Sequence, residues 1–164
     1  MGKLKKSYFY YGAFLSALLN NGKAKPSLFD DVKKSSRRVY RFATEQSEND
    51  HIVFTKYVEG NGNEKAYRWT FLFTEDEITQ LQTLNSQYGN VKVALICVKK
   101  NLSECELAIV EYDLAMKCLG INIGTRSTSI TVKTYKGKHG LFVFGSGIDE
   151  DSREKISRDA IEKL

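Results

Sequence analysis

The chain has 164 residues, of which 41% are hydrophobic and 27% are charged. This balance predicts one folded domain and excludes a disordered chain, while a single proline and 12 glycines exclude collagen-like and proline-rich classes. The net charge of +5 is uneven, because residues 1–41 hold ten Lys or Arg against two Asp, whereas residues 42–164 hold fifteen basic and eighteen acidic residues. A basic N-terminal quarter favours an anionic partner, which is either nucleic acid or an acidic protein.

The first predicted element is a helix over residues 7–20. Its apolar side chains lie nearly all round the helix, which is typical of a helix that is covered by other elements. The asparagines and glycine at 20–22 are a helix stop, because glycine adopts the left-handed conformation of a C-cap readily. We interpret residues 23–36, which contain the only proline, as a polar connector.

Three predicted strands follow, at 37–44, 52–58 and 67–74, and the first and third of them show period-two alternation. The segments are joined by short polar links, of which the second, at 59–64, is rich in glycine and asparagine. Three consecutive strands with such links predict an antiparallel meander.

A helix is predicted over 74–88, because Thr74 and Glu77 have the spacing of a capping box. The apolar segment 91–98 predicts a central strand. Further along the chain the patterns predict a strand at 106–111 and a short helix at 113–119. A two-stranded hairpin follows, with strands at 129–135 and 140–144.

These elements have the order αβββαββαββ. We therefore expect an α+β protein with a single mixed, mainly antiparallel sheet, a buried N-terminal helix and two further helices. One domain is expected over 1–148, and a charged helix or tail over 149–164. The side chains expected in the core are Trp69, Phe71, Phe73, Val93, Leu95, Cys97, Ile109 and Phe142.

The sequence has three cysteines, an odd number, and no two of them form a CxxC pair. With only two histidines, the spacing offers no zinc site, so we expect free thiols, a cytoplasmic protein and no cofactor. The apolar run in the first helix is too short to span a bilayer, and no membrane partner is expected. The nucleotide, hydrolase and metalloprotease motifs GxxxxGK[ST], GxGxxG, GxSxG and HExxH do not occur in the sequence.

The order helix, three-stranded meander, helix, strand, strand over residues 7–112 resembles the core of the restriction-endonuclease-like nucleases. In that family an acidic residue and an acidic-x-Lys pair hold magnesium and activate water, which requires clustered carboxylates beside a lysine. In this sequence the resemblance implies Glu45, Asp50 and Glu59 as metal ligands, with Lys56 beside them. The only acidic-x-Lys match is Asp31 with Lys33, which lies in the connector rather than in a strand.

Basic side chains also precede and enter the first predicted strand, interleaved with Tyr40 and Phe42. They are Lys33, Lys34, Arg37, Arg38 and Arg41. Cations beside exposed aromatic rings are the composition of a nucleic-acid-binding surface, whereas the simpler interpretation is a solvated strand with Tyr40 and Phe42 in the core. The hairpin tip with Lys136, Lys138 and His139 is a second location for such a contact. The preferred interpretation is a non-enzymatic binding or regulatory protein whose basic N-terminal segment contacts nucleic acid or an acidic protein, and the alternative is a divergent metal-dependent nuclease that uses magnesium.

Overall fold

The structure is a computed structural model that describes residues 2–20, 24–28, 37–44, 51–120 and 128–163. The described residues form three α-helices and ten β-strands. These are α1 (Lys6–Asn20), β1 (Ala24–Leu28), β2 (Arg38–Thr44), β3 (His51–Glu59), β4 (Asn61–Gly62), β5 (Ala66–Phe73), α2 (Glu75–Tyr88), β6 (Lys92–Val98), β7 (Glu106–Glu111), α3 (Tyr112–Leu119), β8 (Thr128–Tyr135), β9 (Leu141–Gly145) and β10 (Glu154–Ile156). None of the described helices has the length and apolar composition that a membrane-spanning helix needs.

The strands form two five-stranded sheets. The first sheet has the order β1-β2-β3-β6-β7, and the second has the order β10-β9-β8-β5-β4. In the first sheet β3 and β6 are parallel, whereas every described pairing in the second sheet is antiparallel. The α+β class predicted from the sequence is confirmed, but the expectation of a single sheet is wrong.

The chain crosses from the first sheet to the second at Gly60. A Cβ atom on Gly60 would lie 2.4 Å from Cδ1 of Trp69, so the close approach of these two residues requires a glycine. β4 is only two residues long, and β5 pairs along its whole length with β8 instead of with β3. The meander predicted from the sequence is therefore wrong in its third strand.

The two sheets pack face to face around the main core. The rings of Phe54 in β3 and Phe73 in β5 stack across the interface with their centroids 6.1 Å apart. Leu81 of α2 and Leu119 of α3 are buried in the same core. α1 packs against the opposite face of the first sheet through Tyr11, Phe14 and Leu18. The helix is buried on this face only, because Phe9 and Leu19 are exposed, so the expectation of a helix covered nearly all round is wrong.

The local signals at α2 are confirmed. The hydroxyl oxygen of Thr74 accepts a hydrogen bond from the Glu77 backbone N–H at 3.2 Å, and Glu77 Oε1 accepts one from the Thr74 backbone N–H at 3.1 Å. This reciprocal capping box satisfies two backbone donors that the first turn of the helix leaves without partners.

Two segments differ from the sequence-based expectation. Part of the 23–36 connector forms β1, which pairs with β2. In the C-terminal segment, where a helix or tail was expected, β10 pairs with β9, and short 3-10 turns lie on either side of it. Phe142 was expected in the core but is only half-buried, because Leu141 and Val143 take the inward positions of β9.

Phe71→Ala should lower the free energy of unfolding by about 3–5 kcal/mol, because the ring is buried between the sheets and its removal leaves a cavity. Urea denaturation measures the change. Leu72→Ala is the matched control, because Leu72 is the next residue of β5 and its side chain is 66% exposed. An equal loss of stability in the two variants would show that the facing of β5 is incorrect.

Candidate functional site

The basic side chains predicted to bind nucleic acid do not share one solvent face. Arg38 lies over the ring of Tyr11 in α1, 5.2 Å from its centroid, and Arg41 lies 5.9 Å from the ring centroid of Tyr88 at the end of α2. The Arg37 side chain is only 9% exposed, and its Nη1 is 4.0 Å from Glu77 Oε2. Lys33 and Lys34 lie outside the described residues.

Of the two aromatic residues in that segment, Tyr40 is 4% exposed and packs in the core beneath α1. The side chain of Phe42 lies outside the described part of the structure. Binding of nucleic acid by residues 33–41 therefore stays a prediction, with Arg37 and Tyr40 turned into the interior.

The residues implied by the nuclease resemblance are also separated. Glu45 and Asp50 fall outside the described residues. Lys56 and Glu59 are three positions apart on β3 and therefore lie on opposite faces of the strand, since side chains alternate between faces. Glu59 forms an ion pair with Lys6 of α1. Where the structure describes the chain, no three His, Cys, Asp or Glu side chains come together as a metal site.

Lys56 instead makes a buried ion pair between the two sheets. Its Nζ donates to Glu77 Oε2 and to the carbonyl oxygen of Leu72, both at 2.6 Å. Burial lowers the pKa of Lys56, while the hydrogen bond to Glu77 opposes that effect. The pair holds the start of α2 against β3 and β5, which is a structural role.

Lys56→Met should lower the free energy of unfolding by about 3–5 kcal/mol, because it leaves the Glu77 carboxylate buried without its main partner. The double variant Lys56→Met, Glu77→Gln should recover most of this loss, since the buried charge is removed and glutamine also serves in a capping box.

Lys92→Met is the control for this prediction, because Lys92 pairs with the exposed Glu111 and such pairs contribute only about 0–1 kcal/mol. Denaturant unfolding of the four proteins gives the comparison. A loss for Lys56→Met no larger than that for Lys92→Met would show that the buried pair does not form.

A second set of basic and aromatic side chains lies on the outer face of the second sheet. The strand register places one row of residues directly opposite one another across four strands, and the row consists of Arg68, Lys133, Phe142 and Lys155. Thr70, Thr131 and Phe144 form the adjacent row. The residues between them in sequence, such as Trp69 and Val132, are buried in the core, so these rows face outward.

This outer face is only partly open in the described structure, because Thr131 and Phe144 are 6% and 9% exposed. α1 packs on the first sheet, and the buried residues of α2 and α3 belong to the core between the sheets, so none of the three described helices covers it. The exposure of Leu72 on the same face agrees with this arrangement.

Cations lie over the aromatic rings of this face. Arg153 lies 4.7 Å from the ring centroid of Tyr135, and Lys133 lies 5.0 Å from the same ring. Lys138 lies 5.8 Å from the Phe142 centroid, and Arg68 lies 5.9 Å from the Phe144 centroid. We call this set the basic–aromatic face; its members are Arg68, Lys133, Lys138, Arg153, Tyr135, Phe142 and Phe144.

Glu150 supplies the one described carboxylate that contacts these cations. Its Oε1 accepts hydrogen bonds from Lys133 Nζ and, at 2.7 Å, from the Tyr135 hydroxyl, while its Oε2 is 3.6 Å from Arg68 Nη2. Arg68 and Lys133 are directly opposite each other on neighbouring strands, and like charges in that position repel. The carboxylate between them offsets the repulsion.

The protonation states follow from these contacts. The hydrogen bonds from Lys133 and then from Tyr135 lower the pKa of Glu150, so it is an anion at neutral pH. Burial, with the hydrogen bond to Glu150, raises the pKa of Tyr135 to about 12, so its hydroxyl stays a donor. The Glu150 carboxylate thus contacts two cations and a hydroxyl through its two oxygens, an arrangement of donors that also suits a phosphate group.

The sequence contains only part of the signal for this face. Period-two alternation in 129–135 places Lys133 and Tyr135 on one side of a strand, and Lys138 was noted at the hairpin tip. Arg68 belongs to the non-core side of its strand, as expected, but the sequence gives no reason to place it beside Lys133. Because Phe142 was expected in the core, the sequence did not indicate that its ring lies on this face.

A scan of protein-family models, a search of curated proteins and a search of solved structures each found no match to this chain. The chemistry of the side chains therefore carries the functional proposal.

Proposed function

We propose that this protein is a non-enzymatic binding domain for single-stranded nucleic acid and that the basic–aromatic face is its contact surface. The observation that supports the proposal is the set of cations that lie over aromatic rings on a sheet face that no described α-helix covers. Single-strand binders combine cations that neutralise phosphates with rings on which bases stack, and sheet faces are a common platform for both.

The geometry favours a single strand over a duplex. In a duplex the bases already stack on one another, so their faces are not available to Tyr135 or Phe142. A protein that reads a duplex usually inserts a helix or a two-stranded ribbon into a groove, whereas this surface is the broad face of a five-stranded sheet. The acidic protein partner is the competing proposal, and it would use the cations without the rings.

Binding to a labelled oligothymidylate or oligouridylate, followed by fluorescence anisotropy at several salt concentrations, tests the proposed function. Affinity should fall with salt by about 0.7 in log K per log salt for each phosphate contact. Arg68→Gln with Lys138→Gln should therefore weaken binding and flatten this slope. Phe142→Leu should weaken binding with the slope unchanged, because it removes a stacking ring and no charge.

The control for the first variant is Lys92→Gln with Lys117→Gln, which removes two positive charges outside the face. Equal weakening of binding by both double variants would show that the loss of affinity depends only on the net charge of the protein, and it would overturn the assignment of the face. Binding that Phe142→Leu leaves unchanged would favour an acidic protein as the partner.

Glu150→Gln should raise the affinity for the same oligonucleotide and steepen its salt dependence. The substitution removes the anion that competes with phosphate for Lys133 and Arg68. Asp151→Asn is the matched control, because it removes one neighbouring exposed negative charge that makes no described contact with the face. Equal gains in the two variants, measured by the same anisotropy titration, would contradict a specific competition at Glu150.

The nuclease alternative has less support. Between β3 and β6, which are parallel, the chain passes through β4 and β5 of the other sheet before α2. Lys56 is already paired with Glu77. Magnesium would be a cofactor only under this alternative, in which Glu45 and Asp50 would have to supply the ligands.

We also propose a cytoplasmic location. All three cysteines are free thiols. Burial raises the pKa of Cys118 to about 12 and that of Cys97 well above its ordinary value, so both remain protonated and unreactive at neutral pH. A protein that has no disulfide and keeps two of its three thiols buried suits a reducing compartment.

A further inference from the structure

A separate cleft lies where the parallel strands β3 and β6 end. Glu59 and Val98 are paired in the register of these strands, so their carboxyl ends lie side by side. The cleft has a volume of about 310 Å³, and its lining includes Tyr10, Glu59, Tyr67, Lys99 and Lys100. The carboxyl ends of parallel strands are where open sheets commonly bind ligands.

The backbone around the cleft is held in place. The carbonyl oxygen of Val98 accepts hydrogen bonds from the Gly60 backbone N–H at 3.2 Å and from Trp69 Nε1 at 3.0 Å. The Tyr67 hydroxyl donates to the Gly60 carbonyl oxygen at 3.3 Å, and its ring packs 4.9 Å from that of Trp69. A ligand would therefore meet a largely preformed wall, which lowers the entropic cost of binding.

The cleft has two lysines without a described carboxylate partner. Lys99 Nζ lies over the rings of Tyr67 and Trp69, at 4.6 Å and 5.8 Å from their centroids. Neither Lys99 nor Lys100 forms an ion pair with a carboxylate of the described residues, and Glu59 is already paired with Lys6. Two such cations beside aromatic rings suit a ligand that is both anionic and flat.

We propose that this cleft binds a nucleoside 5′-monophosphate group, with Lys99 and Lys100 on the phosphate and the rings of Tyr10 and Tyr67 against the base. The volume is at the lower end of the range for ligand pockets, which favours a ligand of this size. A free nucleotide and the 5′-terminal nucleotide of a strand present the same phosphate monoester. The cleft shares no residue with the basic–aromatic face, so a ligand in the cleft does not depend on the function proposed for that face.

Titration of the ¹⁵N-labelled protein with AMP, followed by NMR, tests this site directly. The amides of Gly60, Tyr67 and Lys99 should shift together and saturate, and adenosine and inorganic phosphate should each bind about tenfold or more weakly than AMP. Lys99→Gln with Lys100→Gln should weaken AMP binding by about tenfold or more, since two charge-assisted contacts are lost.

The matched control is Lys92→Gln with Lys117→Gln, which removes two charges outside both the cleft and the basic–aromatic face and should leave the shifts of the cleft amides unchanged. Shifts in the wild-type protein that are confined to residues outside the cleft, or no saturable binding of AMP, would overturn the proposal without reliance on any variant. Equal weakening by both double variants would overturn it as well.

An oligonucleotide with and without a 5′-phosphate distinguishes the two sources of the ligand. A gain in affinity from the 5′-phosphate that is lost in the Lys99, Lys100 variant would support the strand end as the ligand. Binding of AMP with no such gain would support a free nucleotide.

Discussion

Strand β3 has to bury both of its faces, and the layered arrangement of the protein follows from this constraint. Ile52 and Phe54 on one face and Val53 on the other are fully buried. A strand of this kind is stable only with a layer on each side. α1 covers one side and the second sheet covers the other. The second sheet therefore presents one face to β3, and its other face, which carries the basic and aromatic side chains, lies outside the core.

The buried Lys56 lies on the core-facing side of this same strand. Its ammonium group is held by a carboxylate from α2 and a carbonyl oxygen from β5, so one side chain connects the first sheet, the second sheet and the helix between them in sequence. Breaking such a pair leaves a buried charge without its partner, whereas the intact pair adds little net stability. It is therefore better understood as fixing the position of α2 than as a source of chemistry, and the same lysine cannot serve a metal site on the opposite face of β3.

Local features of the fold were predictable from the sequence, and long-range pairings were not. The capping box at Thr74 depends on residues three apart, and the facing of Arg68, Trp69 and Phe71 depends on strict alternation. The partition into two sheets depends on Gly60 and Trp69, which determine where the chain crosses over. In β9 both alternating sets are apolar, so the pattern did not show whether Phe142 faces the core. The burial of Arg37 likewise depends on Glu77, which is distant in sequence.

Side chains of the protein itself already make, on the basic–aromatic face, the contacts that the proposed ligand would make. The Glu150 carboxylate occupies the place of a phosphate between Arg68 and Lys133, and cations lie over the rings where bases would stack. Any ligand has to exchange these contacts for its own. An acidic peptide replaces the carboxylate but offers no flat groups for Tyr135 and Phe142, and an apolar ligand covers the rings but leaves two like charges facing each other. A single-stranded nucleic acid replaces both kinds of contact at once, because it has alternating phosphates and bases, and this double requirement favours it over the other two ligands.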